Sequence, residues 1–224
     1  MLPNRVHSPP FPPFDEYVSL GSDCEVGFQI RRILGQDSSS FFNWNVTNLV
    51  ALKNLLENRF SGVFRAENLS VAGVGMLTDH RYEYQFRSPF DRMEYRDDPA
   101  YAAKLQDLHE KSRYLVEKFL RPRPEAHATA YFYKVSVYDE LAAARPALLQ
   151  VRDILSVIHR ASTFVIIAVM GEDRREPPWG LPLIHDRYLR RIAPWDDAAD
   201  GHVPSWDRLF QEFPNKSPMR FAGY

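Results

Sequence analysis

Cys24 is the only cysteine in the 224-residue chain, and it sits where a thiol can be made reactive. Tyr17-Val18-Ser19-Leu20 reads as a short apolar strand, Gly21 as a turn, and Phe28, Ile30, Ile33 and Leu34 as the apolar face of a helix. Ser22 or Asp23 is suited to cap that helix and Gly35 to end it. Cys24 then falls in the first helical turn, where unpaired N–H groups and the positive end of the helix dipole favour thiolate. Asp23 and Glu25 oppose this by like-charge repulsion, and Arg31 and Arg32, two turns on, help only weakly.

A thiolate nucleophile needs a base within hydrogen-bond reach and a third group to orient it. His80 follows Cys24 in chain order and stands between two strand-like runs, beside Asp79. Neighbouring side chains on a strand point to opposite faces, so Asp79 orients His80 only if the pair lies in a turn. His185 and His202 are the alternative bases. His7 lies in a proline-rich leader, His109 in mid-helix, and His127 and His159 flank strands as surface candidates. Backbone N–H groups near Cys24 and Glu25 would stabilise an oxyanion. The Gly21-Ser22-Asp23 turn, together with Asn43 and Trp44, is the candidate substrate-binding surface. Ser22 is an alternative nucleophile of the SGNH-hydrolase kind, although that spacing of a late Asp-x-x-His would put the acid at Ala199.

No HExxH, no histidine pair at helical spacing and no second cysteine offers a metal site. No Walker loop or GxGxxG offers a nucleotide site, so no cofactor is expected. Lys plus Arg (28) nearly balance Asp plus Glu (29), which gives no general pull toward nucleic acid or anionic membrane. The Arg174-Arg175 and Arg190-Arg191 pairs could hold an anion, though solvated arginines are the ordinary case. No apolar run reaches the ~18 residues that span a bilayer. One cysteine forms no internal disulfide, and the N-terminus has no apolar signal region, so the expected location is the cytoplasm. The sequence carries no mark of an oligomeric state.

The elements that must position these groups follow from periodicity. Residues 1–14, with five prolines, read as an extended arm tied down by Phe11 and Phe14, and residues 15–224 as a single α/β domain. Thr47 is placed to cap a second helix with Leu49, Leu52, Leu55, Leu56 and Phe60 on one face. Val71, Val74 and Met76, then Tyr82, Tyr84 and Phe86, read as two short strands. Asp97-Asp98-Pro99 opens a long helix that Pro122 and Pro124 stop. Tyr131 to Val135 is a strand, Asp139 caps a short turn, and Pro146 starts a further helix. Phe164 to Val169 is a continuous apolar run, as in a central strand buried on both faces. The tail from Gly171, rich in proline and tryptophan (Trp179, Trp195, Trp206), reads as irregular, with a helix around Ser205 to Phe213. Strands alternating with helices give a layered α/β fold with a mainly parallel sheet.

Ser19-Leu20-Gly21-Ser22-Asp23-Cys24-Glu25-Val26, Arg31-Arg32, Phe41-Phe42-Asn43-Trp44 and Val46-Thr47 together resemble the N-terminal signature of a bacterial family described as papain-like cysteine peptidases and otherwise of unknown function. The family pattern carries Asp before the Trp, where this chain has Asn43. The resemblance implies a cysteine peptidase. A papain-like fold would carry a largely antiparallel sheet, whereas the alternation here argues for a parallel one. Two readings result. One is a hydrolase or acyltransferase acting on a peptide, acyl or other small-molecule substrate, with Cys24 as nucleophile, His80 as base, and Asp79 or Asn43 as orienter. The other is a non-catalytic α/β module, ligand- or glycan-associated, in which Cys24 packs.

Overall fold

A computed structural model of the protein describes residues 10–37, 39–73, 75–90, 95–136, 139–193 and 201–223. His7, Val74, Trp195 and Ala199, all used above, lie outside the described residues, as do residues 1–9 of the proline-rich leader.

The framework is a four-stranded parallel sheet in the order β1-β6-β7-β8. It is built from β1 (Glu16–Ser19), β6 (Ala128–Lys134), β7 (Thr163–Gly171) and β8 (Ile184–Leu189). The apolar run of β7 is buried from Phe164 to Gly171, because helices lie on both faces of the sheet. Val26, Ile30 and Ile33 of α1 (Glu25–Leu34) share one face with Trp206, Leu209 and Phe210 of α5 (Val203–Glu212). The other face packs against α2 (Leu49–Glu57), α3 (Tyr101–Leu120) and α4 (Leu141–Ile158).

A second, antiparallel sheet, ordered β2-β5-β4-β3, extends that second layer. Its strands are β2 (Asn45–Val46), β3 (Leu69–Gly73), β4 (Met76–Asp79) and β5 (Tyr84–Arg87). Three strands stand here where alternation suggested two, because the tight turn around Gly75 splits the first run. The layered α/β reading with a parallel sheet is borne out, with this sheet added.

Several boundaries differ for local reasons. Asn48, not Thr47, caps α2, its Oδ1 accepting from Ala51 N at 2.9 Å; Thr47 N instead donates to Ser22 O. Pro146 lies inside α4 rather than at its start. The first turn closes ahead of it, Ala144 N donating to Glu140 O at 3.1 Å, so the proline costs one internal bond and not the helix. The tail is more regular than its composition suggested. β8 pairs with β7 from Ile184 to Leu189, its charges drawn off by Trp179 N on Asp186 Oδ1 (3.1 Å) and by Arg187 on Glu212 (2.9 Å). Phe11 stacks on Phe213 at 4.4 Å, and Phe14 N bonds Pro214 O. No helix among the described residues is long and apolar enough to cross a membrane.

Phe132, fully buried at the centre of the parallel sheet, meets Tyr17 at 5.2 Å and Phe210 at 5.5 Å. Its replacement by Ala is expected to cost about 3–5 kcal/mol of unfolding free energy, read from urea denaturation; a loss under 1 kcal/mol would show this side of the core to be plastic.

Candidate functional site

The turn after β1 is fixed from both sides. Leu20 N continues the strand by donating to Phe132 O at 2.8 Å. Gly21 then takes φ +94°, and a side chain there would press on Thr47, 3.1 Å from the site of a Cβ. Ser22 follows at φ +67°, a left-handed conformation that a non-glycine residue adopts at a cost. Ser22 and Thr47 exchange backbone bonds at 3.2 and 3.0 Å, which fastens the turn of the parallel sheet to the entry of the antiparallel one. Asp23 then caps α1 through its Oδ1, which accepts from Glu25 N at 3.0 Å. Cys24 is therefore the N-cap position itself, just outside the first turn expected for it. Gly27 permits close approach, since a Cβ would stand 2.9 Å from Asn43 O.

Beneath the turn lies a buried ionic cluster centred on Lys134. The last residue of β6, it follows Ala130 and Phe132 on the α1/α5 face and is 1% exposed. Its ammonium pairs with Asp23 Oδ2, with Glu25 Oε2 at 3.0 Å and with Ala193 O at 2.7 Å, which engages all three donors. Glu25, fully buried, also accepts from Ala193 N and Trp206 Nε1, both at 2.9 Å. Gly201 packs so tightly on Glu25 that a Cβ would meet Oε1 at 1.9 Å. Burial raises the Glu25 carboxyl above its usual range, against the pull of Lys134 and the hydrogen bonds.

Cys24, partly exposed, inherits this field. Desolvation first, and then Asp23, push its thiol up to about 11, while Lys134 and Arg87 pull the other way. Its backbone carbonyl accepts from Phe28 N at 3.0 Å. No histidine is hydrogen-bonded to it among the described residues.

The expected bases are engaged elsewhere. His80 is exposed in the β4–β5 turn, its Nε2 2.6 Å from Ser70 Oγ and its Nδ1 3.4 Å from Glu83. Asp79 is buried and accepts from Phe64 N at 2.7 Å and Arg81 N at 3.0 Å, so its oxygens serve backbone donors. The Ser22–Thr47 bridge and the β2-β5-β4 ladder leave three strand spacings, about 14 Å, between the turn and Asp79. His185 lies in register with Ile167, Phe132 and Ser19 on the far edge strand, again about 14 Å from β1. Its ring meets Phe11 at 4.7 Å. His202 Nδ1 pairs with Ser205 Oγ at 2.7 Å in the first turn of α5. His159 is buried against Arg123 and not at the surface, its pKa lowered to about 3 by desolvation and that charge.

Ser22 is buried, and the neighbouring Tyr133 hydroxyl donates to Thr47 O at 3.5 Å. Asn43 is buried beside Gly27. Asn45 Nδ2 donates to Phe41 O at 2.8 Å, the loop-backbone role. Trp44 stacks edge-on with Phe28 at 5.0 Å and takes the Arg31 guanidinium at 5.3 Å. Its other side lines a cleft of about 470 Å³ between the 40–45 loop, the end of β5 and α3. Lys134 escaped sequence reasoning, although a lysine closing an otherwise apolar, two-faced strand is the mark of a buried charge that must find a partner.

Residues 15–121 match a family model described as "Putative papain-like cysteine peptidase (DUF1796)", so the likeness first seen at 17–47 extends through the antiparallel sheet and α3. No curated protein and no solved structure matches the chain.

Lys134→Met strands two buried carboxylates and is expected to lower stability by about 3–5 kcal/mol at pH 7. Without the ammonium, the Glu25 carboxyl rises further above its unfolded value. The folded variant then binds the extra proton, and stability is lost as pH rises. Urea denaturation at pH 5 and pH 7 should show the deficit narrowing at pH 5; a wider deficit there would exclude the cluster as its source.

Proposed function

We propose that the chain is an α/β ligand-binding module in which the Gly21–Cys24 turn is a rigid corner and Cys24 is a protonated thiol at rest. The observation that carries this reading is the charge beneath the turn. Asp23, Glu25 and Lys134 already sum to one negative charge, and a thiolate at Cys24 would add a second in a poorly hydrated place. The Glu25 N–H, a candidate oxyanion donor, is occupied by Asp23. The cleft beside Trp44, concave and largely apolar with a few polar groups, is the seat for the ligand.

A second reading, a thiol hydrolase or acyltransferase with Cys24 as nucleophile, is favoured by the family match. Partial exposure of Cys24 and the downward pull of Lys134 and Arg87 also support it. In that reading a base, His80 or another histidine, has to reach the sulfur in the substrate complex, because none among the described residues bonds it in the free protein.

Alkylation by iodoacetamide separates the two. The resting-thiol reading expects a rate at pH 7.5 about 100-fold below that of a free cysteine peptide, still climbing at pH 10 while circular dichroism reports an intact fold. A plateau reached below pH 8.5 would overturn it and favour the nucleophile.

A further inference from the structure

We infer that the cleft between the 40–45 loop, β5 and α3 binds a small amphipathic monoanion, a carboxylate with an aromatic or short aliphatic body. The inference rests on the binding-module reading for the importance of this cleft and adds the chemistry of what fills it. Phe41, Phe64 and Phe86 contribute apolar surface, the last two in edge contact at 4.5 Å. Such a wall takes a flat or short-chain apolar body, and at about 470 Å³ the space suits a molecule of one ring and a few further carbons.

The rim sets the charge. Arg87, at the end of β5, and Lys111, on α3, are exposed there and enter no ion pair among the described residues. Lys104 is also on the wall but already holds Asp98 at 2.9 Å. Asp107 is the one acidic side chain lining the cleft among the described residues. Among the described residues, three cations against Asp107 and the Asp98 behind Lys104 leave one positive charge net, which one carboxylate neutralises and a dianion would exceed. Arginine suits a carboxylate through its planar fork of donors.

The second, independent observation is Ser112. It lines the same cleft, one residue along α3 from Lys111, is 5% exposed, and its hydroxyl has no hydrogen-bond partner among the described residues. A buried hydroxyl left without a partner destabilises the free protein, and an acceptor arriving in the cleft would satisfy it. The carboxylate accordingly lies at the α3 side, between the Arg87 and Lys111 charges and within reach of the Ser112 hydroxyl, with its body on the phenylalanines.

Isothermal titration of the full chain with 4-phenylbutyrate, and with 4-phenylbutan-1-ol as the uncharged control, tests this. The acid is expected to bind one-to-one and at least about tenfold more tightly than the alcohol. Arg87→Gln should weaken the acid about tenfold and leave the alcohol unchanged. Ser112→Ala should weaken it about fivefold while the melting temperature holds or rises, because an orphaned hydroxyl has been removed. Cys24→Ala should bind the acid as the parent does, so that alkylation reads only the thiol and titration only the cleft. No saturable binding of the acid, equal binding of acid and alcohol, or tighter binding of phenyl phosphate than of 4-phenylbutyrate would overturn the assignment.

Discussion

Burying an ammonium beneath the opening turn is the constraint around which the rest is arranged. Lys134 ends the second strand of the parallel sheet on a face otherwise lined by hydrocarbon, where an unpaired charge would be prohibitive. Each of its three donors therefore recruits a different part of the chain: the capping residue of α1, the first residue of α1, and the carbonyl of Ala193 after β8. Glu25 then draws in Trp206 of α5 and the amide of Ala193. One buried cation thereby ties β1, β6, α1, α5 and the segment after β8 to a common point. Such a cluster is a poor source of net stability. What it supplies is position, because few other arrangements of these elements would satisfy every donor and acceptor at once.

The same cluster decides the character of Cys24. A cysteine at the start of a helix is expected to be acidified by the dipole, which acts over about the first turn with a fraction of a unit charge. Here full charges stand nearer. Asp23 is the adjacent residue and already caps the helix, so the N–H group that would have favoured thiolate faces a carboxylate instead. Desolvation adds in the same direction, and Lys134 is largely neutralised by the two carboxylates that hold it. The helix start is therefore insufficient to predict a reactive thiol when the cap is anionic and the nearest cation is already paired.

The parts of the molecule that the sequence expressed clearly were those governed by local rules. The opening strand-turn-helix, the αL glycine at Gly35, the apolar run of β7 and the long helix ended before Pro122 depend on neighbours a few residues away, and all appear as read. The tail misled because β8 carries His185, Asp186 and Arg187 within six residues, and those side chains are accommodated by Trp179 and Glu212, partners set by tertiary contact. The site was harder for the same reason. Cys24 and Asp23 were visible, but Lys134 lies 110 residues beyond Cys24 in the chain, and strand register alone brings it under the turn. The adjacency of Asp79 and His80 suggested a pair, yet Asp79 is turned inward to the amides of Phe64 and Arg81 and His80 outward to Ser70 and Glu83.

The Phe41–Asn45 loop connects these observations. Its Asn43 backbone is pressed against Gly27 of α1, Asn45 pairs with Phe86 in the antiparallel sheet, and Trp44 stands between Phe28 and the cleft. Motion of α1 is thus opposed on one side by the Lys134 cluster and on the other by this loop. A ligand in the cleft would press on Trp44 and would partly neutralise Arg87, one of the two cations that lower the Cys24 thiol. Removing that charge raises the thiol further, so an anion held there works against thiolate formation. Were the cleft to hold an anion, the coupling would appear only once Cys24 ionises: the anion would disfavour the thiolate and the thiolate the anion, while the resting thiol leaves the cleft unaffected.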